Sequence, residues 1–107
     1  MLMLYIKLDD ILKQLKEFFK KIPEIKEVYL FGSVAKGDYL PWSDIDLLIL
    51  SEDPQKVRQV VSSFLNEIFV NEGVLISAIF DNINRMSLSS KHFKKEGRLF
   101  WAKKKNS

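Results

Sequence analysis

One stretch constrains this chain more than any other. Asp44-Ile45-Asp46-Leu47-Leu48-Ile49-Leu50 has the length of a strand, opens on two carboxylates and then turns wholly apolar. Beyond its first turn it has no polar face to offer to water. It therefore predicts a strand buried on both sides, central in a sheet with helices over it. A chain of 107 residues has room for one such sheet and one core, and should bury roughly 60–70% of the surface its unfolded form exposes. The whole of residues 1–107 reads as a single domain, with no repeat, low-complexity block or Pro/Gly/Ser linker.

The flanking sequence supplies the layers. Ile11, Leu12, Leu15, Phe18, Phe19 and Ile22 recur at helical spacing, with Asp9 or Asp10 as the expected N-cap and Pro23 as the stop. Glu27–Phe31 reads as a strand running into Gly32-Ser33, and residues 33–43 as a polar connection containing Gly37 and Pro41. Asp53-Pro54 is a cap followed by proline at the first helical position. The helix it opens places Val57, Val60, Val61, Phe64, Leu65, Ile68 and Phe69 on one stripe. After Gly73, Val74–Phe80 is expected as a third strand, then a short helix capped by Ser87 or Ser89 and ending near Gly97, then a last strand over Arg98–Ala102. The order α-β-β-α-β-α-β predicts an α/β (α+β) fold, a small mixed sheet with helices packed on it.

Composition removes several chemistries. There is no cysteine, so no disulfide, thiol nucleophile or cysteine-based metal site is available. The single histidine, His92, rules out multi-histidine metal centres and reads as a surface residue among lysines. No apolar run approaches the roughly 20 residues of a membrane span, and Met1–Ile6 is too short for a signal peptide and lacks a basic leader. The expectation is a cytoplasmic protein with no membrane partner. A net charge of +3 suits an anionic small ligand such as a nucleotide better than a dedicated DNA-binding role. The basic end, Lys91, Lys94, Lys95, Arg98 and Lys103–Lys105, reads as a solvated face, with RNA contact the less favoured use.

Two features carry chemistry. Where a strand ends in Gly32-Ser33, glycine lets an anion approach the backbone, and the Ser33 hydroxyl is placed to cap the turn or bond a phosphate oxygen. Strand alternation puts Asp44 and Asp46 on one face, with Ile45 on the other. Two neighbouring carboxylates repel, and a divalent cation resolves the conflict. Mg²⁺ takes one or two carboxylates together with substrate phosphate oxygens, the donor set this pattern offers. The joint pattern, Gly-Ser, ten residues, then Asp-x-Asp, is expected by chance in about one chain in a thousand.

Phe31-Gly32-Ser33-Val34-Ala35-Lys36-Gly37-Asp38, followed by Trp42-Ser43-Asp44-Ile45-Asp46-Leu47-Leu48-Ile49, resembles the minimal nucleotidyltransferases of the DNA polymerase beta-like superfamily. The resemblance implies a polymerase-beta-like palm and transfer of a nucleoside monophosphate from an NTP, ATP being the favoured donor, to a hydroxyl acceptor. It implies two Mg²⁺ ions on Asp44 and Asp46, which would be the catalytic carboxylates, and a triphosphate held by Gly32, Ser33, Lys36 and Ser43. It further implies a helical HEPN-type protein as partner, with the chain acting as its antitoxin, or a homo-oligomer completing the site.

The chain departs from the family pattern in three places. Val34 and Lys36 stand where arginines are common, so the two-pronged guanidinium is absent. The third carboxylate, usual in the middle of the next long strand, has no counterpart within Val74–Phe80. Alternation makes Ser77 the occupant of that place and Asp81 a substitute if the strand runs further. The gap gives a second reading, a degenerate domain that neutralises a HEPN-type partner without turnover. A third is a nucleic-acid accessory protein using the basic end. Tyr39 and Trp42 read as loop anchors before base-stacking residues, and Phe100 and Trp101 as edge-strand core.

Overall fold

The structure, a computed structural model, describes residues 2–31 and 45–103. Its elements are helix α1 (Leu2–Lys20), strands β1 (Ile25–Phe31) and β2 (Ile45–Ser51), helix α2 (Pro54–Glu72), strand β3 (Ile76–Asn82), helix α3 (Leu88–Glu96) and strand β4 (Arg98–Ala102). The strands form one sheet in the order β3-β2-β1-β4. β1 runs antiparallel to β2 and β4, whereas β2 and β3, joined through α2, are parallel. This is the expected small mixed sheet, with β2 inside it.

Alternation along the strands builds two unequal layers. Val28, Leu30, Ile45, Leu47, Ile49 and Ile76 pack beneath Ile11, Leu15 and Phe19 of α1 and Val57, Val61, Leu65 and Ile68 of α2. On the opposite face Tyr29, Leu48 and Leu50 pack with Ile83, Met86 and, from α3, Phe93. Leu47 through Leu50 are fully buried, so β2 is covered on both sides as its apolar run requires. Phe100 and Trp101 close the core at the β4 edge against Phe19, with ring centroids 6.4 and 6.2 Å away.

Local signals set most boundaries. Asp53 Oδ1 accepts from the Lys56 N–H at 3.2 Å, Pro54 starts α2, and Gly73 ends it with φ +73 while its N–H bonds the Phe69 carbonyl. Ser87, not Ser89, caps α3, its Oγ accepting from the Ser90 N–H.

Three expectations are corrected. First, α1 begins at Leu2, so Asp9 and Asp10 lie inside it and cap nothing. Residues 2–8 hold no glycine or proline to stop a helix, and Asp10 instead accepts from Gln14 one turn on at 2.8 Å. Second, the buried stripe of α2 is narrower than its apolar pattern, since Val60 and Phe69 are about half exposed (50% and 48%). A single sheet face wide enough for two helices leaves each helix a limited contact arc. Third, β3 starts two residues late, at Ile76, and runs on through Asp81 and Asn82, which pair with Leu50 and Ser51. Among the described residues no helix is long and apolar enough to cross a membrane.

Candidate functional site

Phe31, the residue before the first half of the motif, and Asp46, the last of the second, meet at one end of the sheet. β1 ends at Phe31, immediately before Gly32, and the antiparallel register sets Phe31 opposite Asp46, the second residue of β2. On its other side Asp46 pairs with Ser77 of β3. Phe31, Asp46 and Ser77 thus form a row across three adjacent strands, on the face away from α1 and α2, at spacings of about 4.8 Å. The start of β2 is fixed from the β3 side as well, because the Ile45 N–H donates to the Leu75 carbonyl at 3.1 Å. Gly32, Ser33, Lys36, Ser43 and Asp44 lie outside the described residues, as do Val34, Tyr39 and Trp42.

Asp46 is half-buried, at the boundary between a covered and an open part of its face. The covered part lies towards the far end of β2, where α3 and its approach rest on Leu48 and Leu50. At the β3 edge, Leu75, Ser77 and Ile79 share the face of Asp46 and are exposed, Leu75 at 47% and Ile79 at 37%. On the β1 side the Phe93 ring stacks on Phe31, with centroids 4.9 Å apart and planes 13° from parallel. Among the described residues the result is a half-buried carboxylate between an aromatic side chain and a hydroxyl, with the β3 side of its face exposed. Hard oxygen donors of this kind suit a divalent cation shared with phosphate oxygens. Among the described residues no three His, Cys, Asp or Glu side chains cluster.

Ser77 occupies the place beside Asp46 that alternation assigns it. Asp81 does not substitute for a carboxylate there. Although β3 extends to include it, it lies four residues further along, about 13 Å away by strand rise. Its oxygens are also engaged. Oδ2 accepts from the Ser87 N–H at 2.9 Å and Oδ1 from the Asn82 N–H at 2.8 Å. The Ser90 hydroxyl, followed by these backbone donors, holds the carboxyl well below the usual range, at about 2. Asp81 is a bracket between β3 and α3.

The remaining candidates separate in the same way. His92 is exposed. Of the basic end, Lys94 is committed to the fold. Its Nζ pairs with Glu27 at 3.3 Å and sits 5.6 Å above the Tyr29 ring, whose hydroxyl donates to the same Glu27 oxygen at 2.8 Å. Burial, and then that bond to Glu27, push the Tyr29 phenol above its ordinary value. Lys103 donates to the Pro23 carbonyl at 2.9 Å. An open depression of about 400 Å³ between α1 and α2, with Lys13, Glu17, Phe18 and Phe64 in its walls, lies on the other layer and contains no motif residue. Sequence reasoning missed Phe93. The available signal was one aromatic in a helix otherwise rich in serine and lysine.

Residues 10–100 match the family model of the nucleotidyltransferase domain. A protein of Methanocaldococcus jannaschii, named as a candidate protein adenylyltransferase, is 35% identical over 75 residues, covering 65% of this chain and 72% of its own. Among solved structures, a candidate nucleotidyltransferase from Sulfolobus solfataricus superposes with a TM-score of 0.61 at 28% identity, covering 92% of this chain and 86% of its own. A toxin–antitoxin structure, MntA–HepT, shares the fold with a TM-score of 0.53 at 19% identity, over 92% of this chain and 73% of the matched chain.

Proposed function

Because the chain belongs to the nucleotidyltransferase domain family, we propose that it transfers a nucleoside monophosphate, AMP from ATP in the favoured case, to a hydroxyl acceptor. The observation that carries this reading is the Phe31–Asp46 rung. It brings the residue before Gly32-Ser33 and a half-buried carboxylate to the same end of the sheet, on neighbouring strands.

In this reading Gly32 and Ser33 hold the triphosphate through backbone N–H groups and the hydroxyl, and Lys36 and Ser43 add a cation and a further donor. Asp46, with Asp44 two residues before it, supplies carboxylate oxygens. With Ser77 beside them they form a hard donor set that fits Mg²⁺ when phosphate oxygens complete the shell. Bound there, Mg²⁺ would lower the charge barrier to attack and stabilise the departing pyrophosphate. The acceptor oxygen bonds to the α-phosphorus, the bridge to the β-phosphate breaks, pyrophosphate leaves and the hydroxyl proton passes to solvent or to a base on the acceptor. The name of the M. jannaschii relative, a candidate protein adenylyltransferase, supports an adenylyl group as the one transferred and a protein as acceptor. The MntA–HepT toxin–antitoxin neighbour supports a toxin partner and an antitoxin role.

Titrating each NTP with Mg²⁺ into the protein by calorimetry, beside Asp44→Asn/Asp46→Asn, tests this function. Mg²⁺-dependent binding of one NTP that the double variant loses is the expected result. A folded wild-type protein that binds no NTP would overturn it.

Ser77 favours a second reading. A hydroxyl beside Asp46 leaves no described group there to take the acceptor proton at neutral pH. On that reading the chain neutralises its partner by binding alone. The double variant would then retain the partner in co-purification and protect cells from it as well as wild type does.

A further inference from the structure

Helix α3 is an unusual element to find so firmly held. It has nine residues, LSSKHFKKE, of which Ser90 alone is buried, and Leu88 at its start is 84% exposed. A helix this short and polar contributes little to a core and is marginal in isolation. Yet it is fixed at three points. Its N-terminus is tied to β3 by the Asp81 carboxylate on the Ser87 N–H. Its middle is tied to β1 by Lys94 on Glu27. Its C-terminus closes on Gly97, where an added Cβ would stand 2.7 Å from the Leu30 carbonyl oxygen, so α3 abuts the β1 backbone one residue before Phe31. What these ties deliver is one side chain. The Phe93 ring lies flat on Phe31, the last residue of β1, whose other neighbour in the ladder is Asp46.

We infer that Phe93 is a positioning residue of the nucleotide site, its ring locking Phe31 and through it the Phe31–Asp46 rung. The inference rests on the reading of Asp46 as a nucleotide-site carboxylate. Phe31 sits at the end of a strand, where the ladder has no further described rung to stiffen it. A flat aromatic contact fixes the ring plane, which an aliphatic side chain of similar bulk does not. Held there, Phe31 fixes the point from which the chain enters Gly32-Ser33 and the lateral position of Asp46. A displacement of about 1 Å at such a point is enough to degrade positioning in a site.

The test compares Phe93→Leu, Phe93→Tyr and Leu65→Ala, the last a core truncation on the opposite layer that lowers stability without touching the row. Calorimetry reads the affinity for Mg²⁺-NTP, and amide hydrogen exchange without nucleotide reads the Phe31–Asp46 rung. Phe93→Leu should weaken nucleotide binding about three- to tenfold, the range matching the coupling of an aromatic pair. It should also speed exchange at Phe31 and Asp46. Phe93→Tyr should restore both, and Leu65→Ala should change neither beyond its loss in Tm. Equal affinity and exchange in Phe93→Leu and wild type would overturn the inference, as would changes that Leu65→Ala reproduces. If wild type binds no NTP, the functional reading fails. Exchange at the rung then decides the positioning alone, surviving only if Phe93→Leu loosens it and Leu65→Ala does not.

Discussion

Ser77 stands beside Asp46 in the parallel ladder of β2 and β3, on the same face and one strand over. A carboxylate introduced at Ser77 would therefore enter the row rather than a remote surface. Ser77→Asp should lower Tm in EDTA, because it adds a like charge next to Asp46. Mg²⁺ should raise the Tm of this variant more than that of wild type, since an ion bound to the folded form stabilises it by mass action. If transfer is limited by the missing base, turnover should rise at least about tenfold, short of the 10²–10⁴ attributed to a well-placed general base. Thermal unfolding with and without Mg²⁺, and a product assay, check both. A variant whose Tm ignores Mg²⁺ would count against a cation site at Asp46.

Asp81 acts at a distance from that row, and its effect is on stability. Its carboxyl titrates at about 2, held there by the Ser90 hydroxyl and the Ser87 and Asn82 N–H groups. A folded-state value below the unfolded one means that the ionised form stabilises the fold. That contribution is complete at neutral pH and is lost as pH falls from about 4 towards 2. Asp81→Asn should cost about 1–2 kcal/mol at pH 7, the range for losing a helix-end acceptor. The gap between variant and wild type should narrow below about pH 4 and close only as pH falls to about 2 and under. Urea unfolding at a series of pH values measures it, and a gap that does not vary with pH would refute the electrostatic account.

What the sequence made legible follows from how local each signal is. Asp53-Pro54 acts on its own backbone, so the start of α2 was legible, whereas Gly73, read as the end of the connection to the next strand, caps the helix itself. The apolar run of β2 states its own burial. Asp46 was placed by period-two alternation, and so was Ser77. The failures involve partners distant in sequence. Nothing near Asp81 announces that its oxygens meet Ser87 and Ser90, a contact that exists only once α3 folds back. Phe93 meets Phe31 across 62 positions of chain (93 − 31), as a lone aromatic in a polar helix. The start of α1 was missed for a different reason. Asp9 and Asp10 resemble a cap, but a cap needs non-helical backbone before it, and residues 2–8 contain no breaker to provide it.

The bond between Lys94 and Glu27 joins α3 to β1 at 3.3 Å, with both side chains partly exposed. Its charge should matter less than its geometry, because exposed pairs contribute about 0–1 kcal/mol. Lys94→Met keeps the stem that covers Tyr29 and removes the ammonium. It should cost less than about 1 kcal/mol in urea unfolding, whereas Lys94→Ala, which strips the stem as well, should cost more. Equal losses in the two variants would place the effect in the charge.

Gly73 and Gly97 both end helices, but for different reasons. Gly73 has φ +73 and nothing within 4 Å of an added Cβ, so its constraint is purely conformational. Gly97 has φ −87, which any residue adopts, but a Cβ there would meet the Leu30 carbonyl oxygen at 2.7 Å and the Phe93 carbonyl oxygen at 2.9 Å. Both contacts are with backbone, which cannot rotate aside as a side chain would. Gly73→Ala should therefore cost about 1–2 kcal/mol, and Gly73→Asn less, because asparagine tolerates the left-handed region. Gly97→Ala should cost about 1–3 kcal/mol through overpacking, and asparagine should give no relief there. Gly97→Ala pushes α3 away from β1, so it should also weaken Mg²⁺-NTP binding as Phe93→Leu does. Gly73 cannot serve as its control, because it lies two residues before Leu75, whose carbonyl holds the start of β2. Leu65→Ala, in the opposite layer, should leave affinity unchanged at a comparable loss of Tm. Calorimetry on Gly97→Ala and Leu65→Ala, beside thermal unfolding, separates the effects. If both lose affinity in proportion to stability, α3 has no special hold on the site.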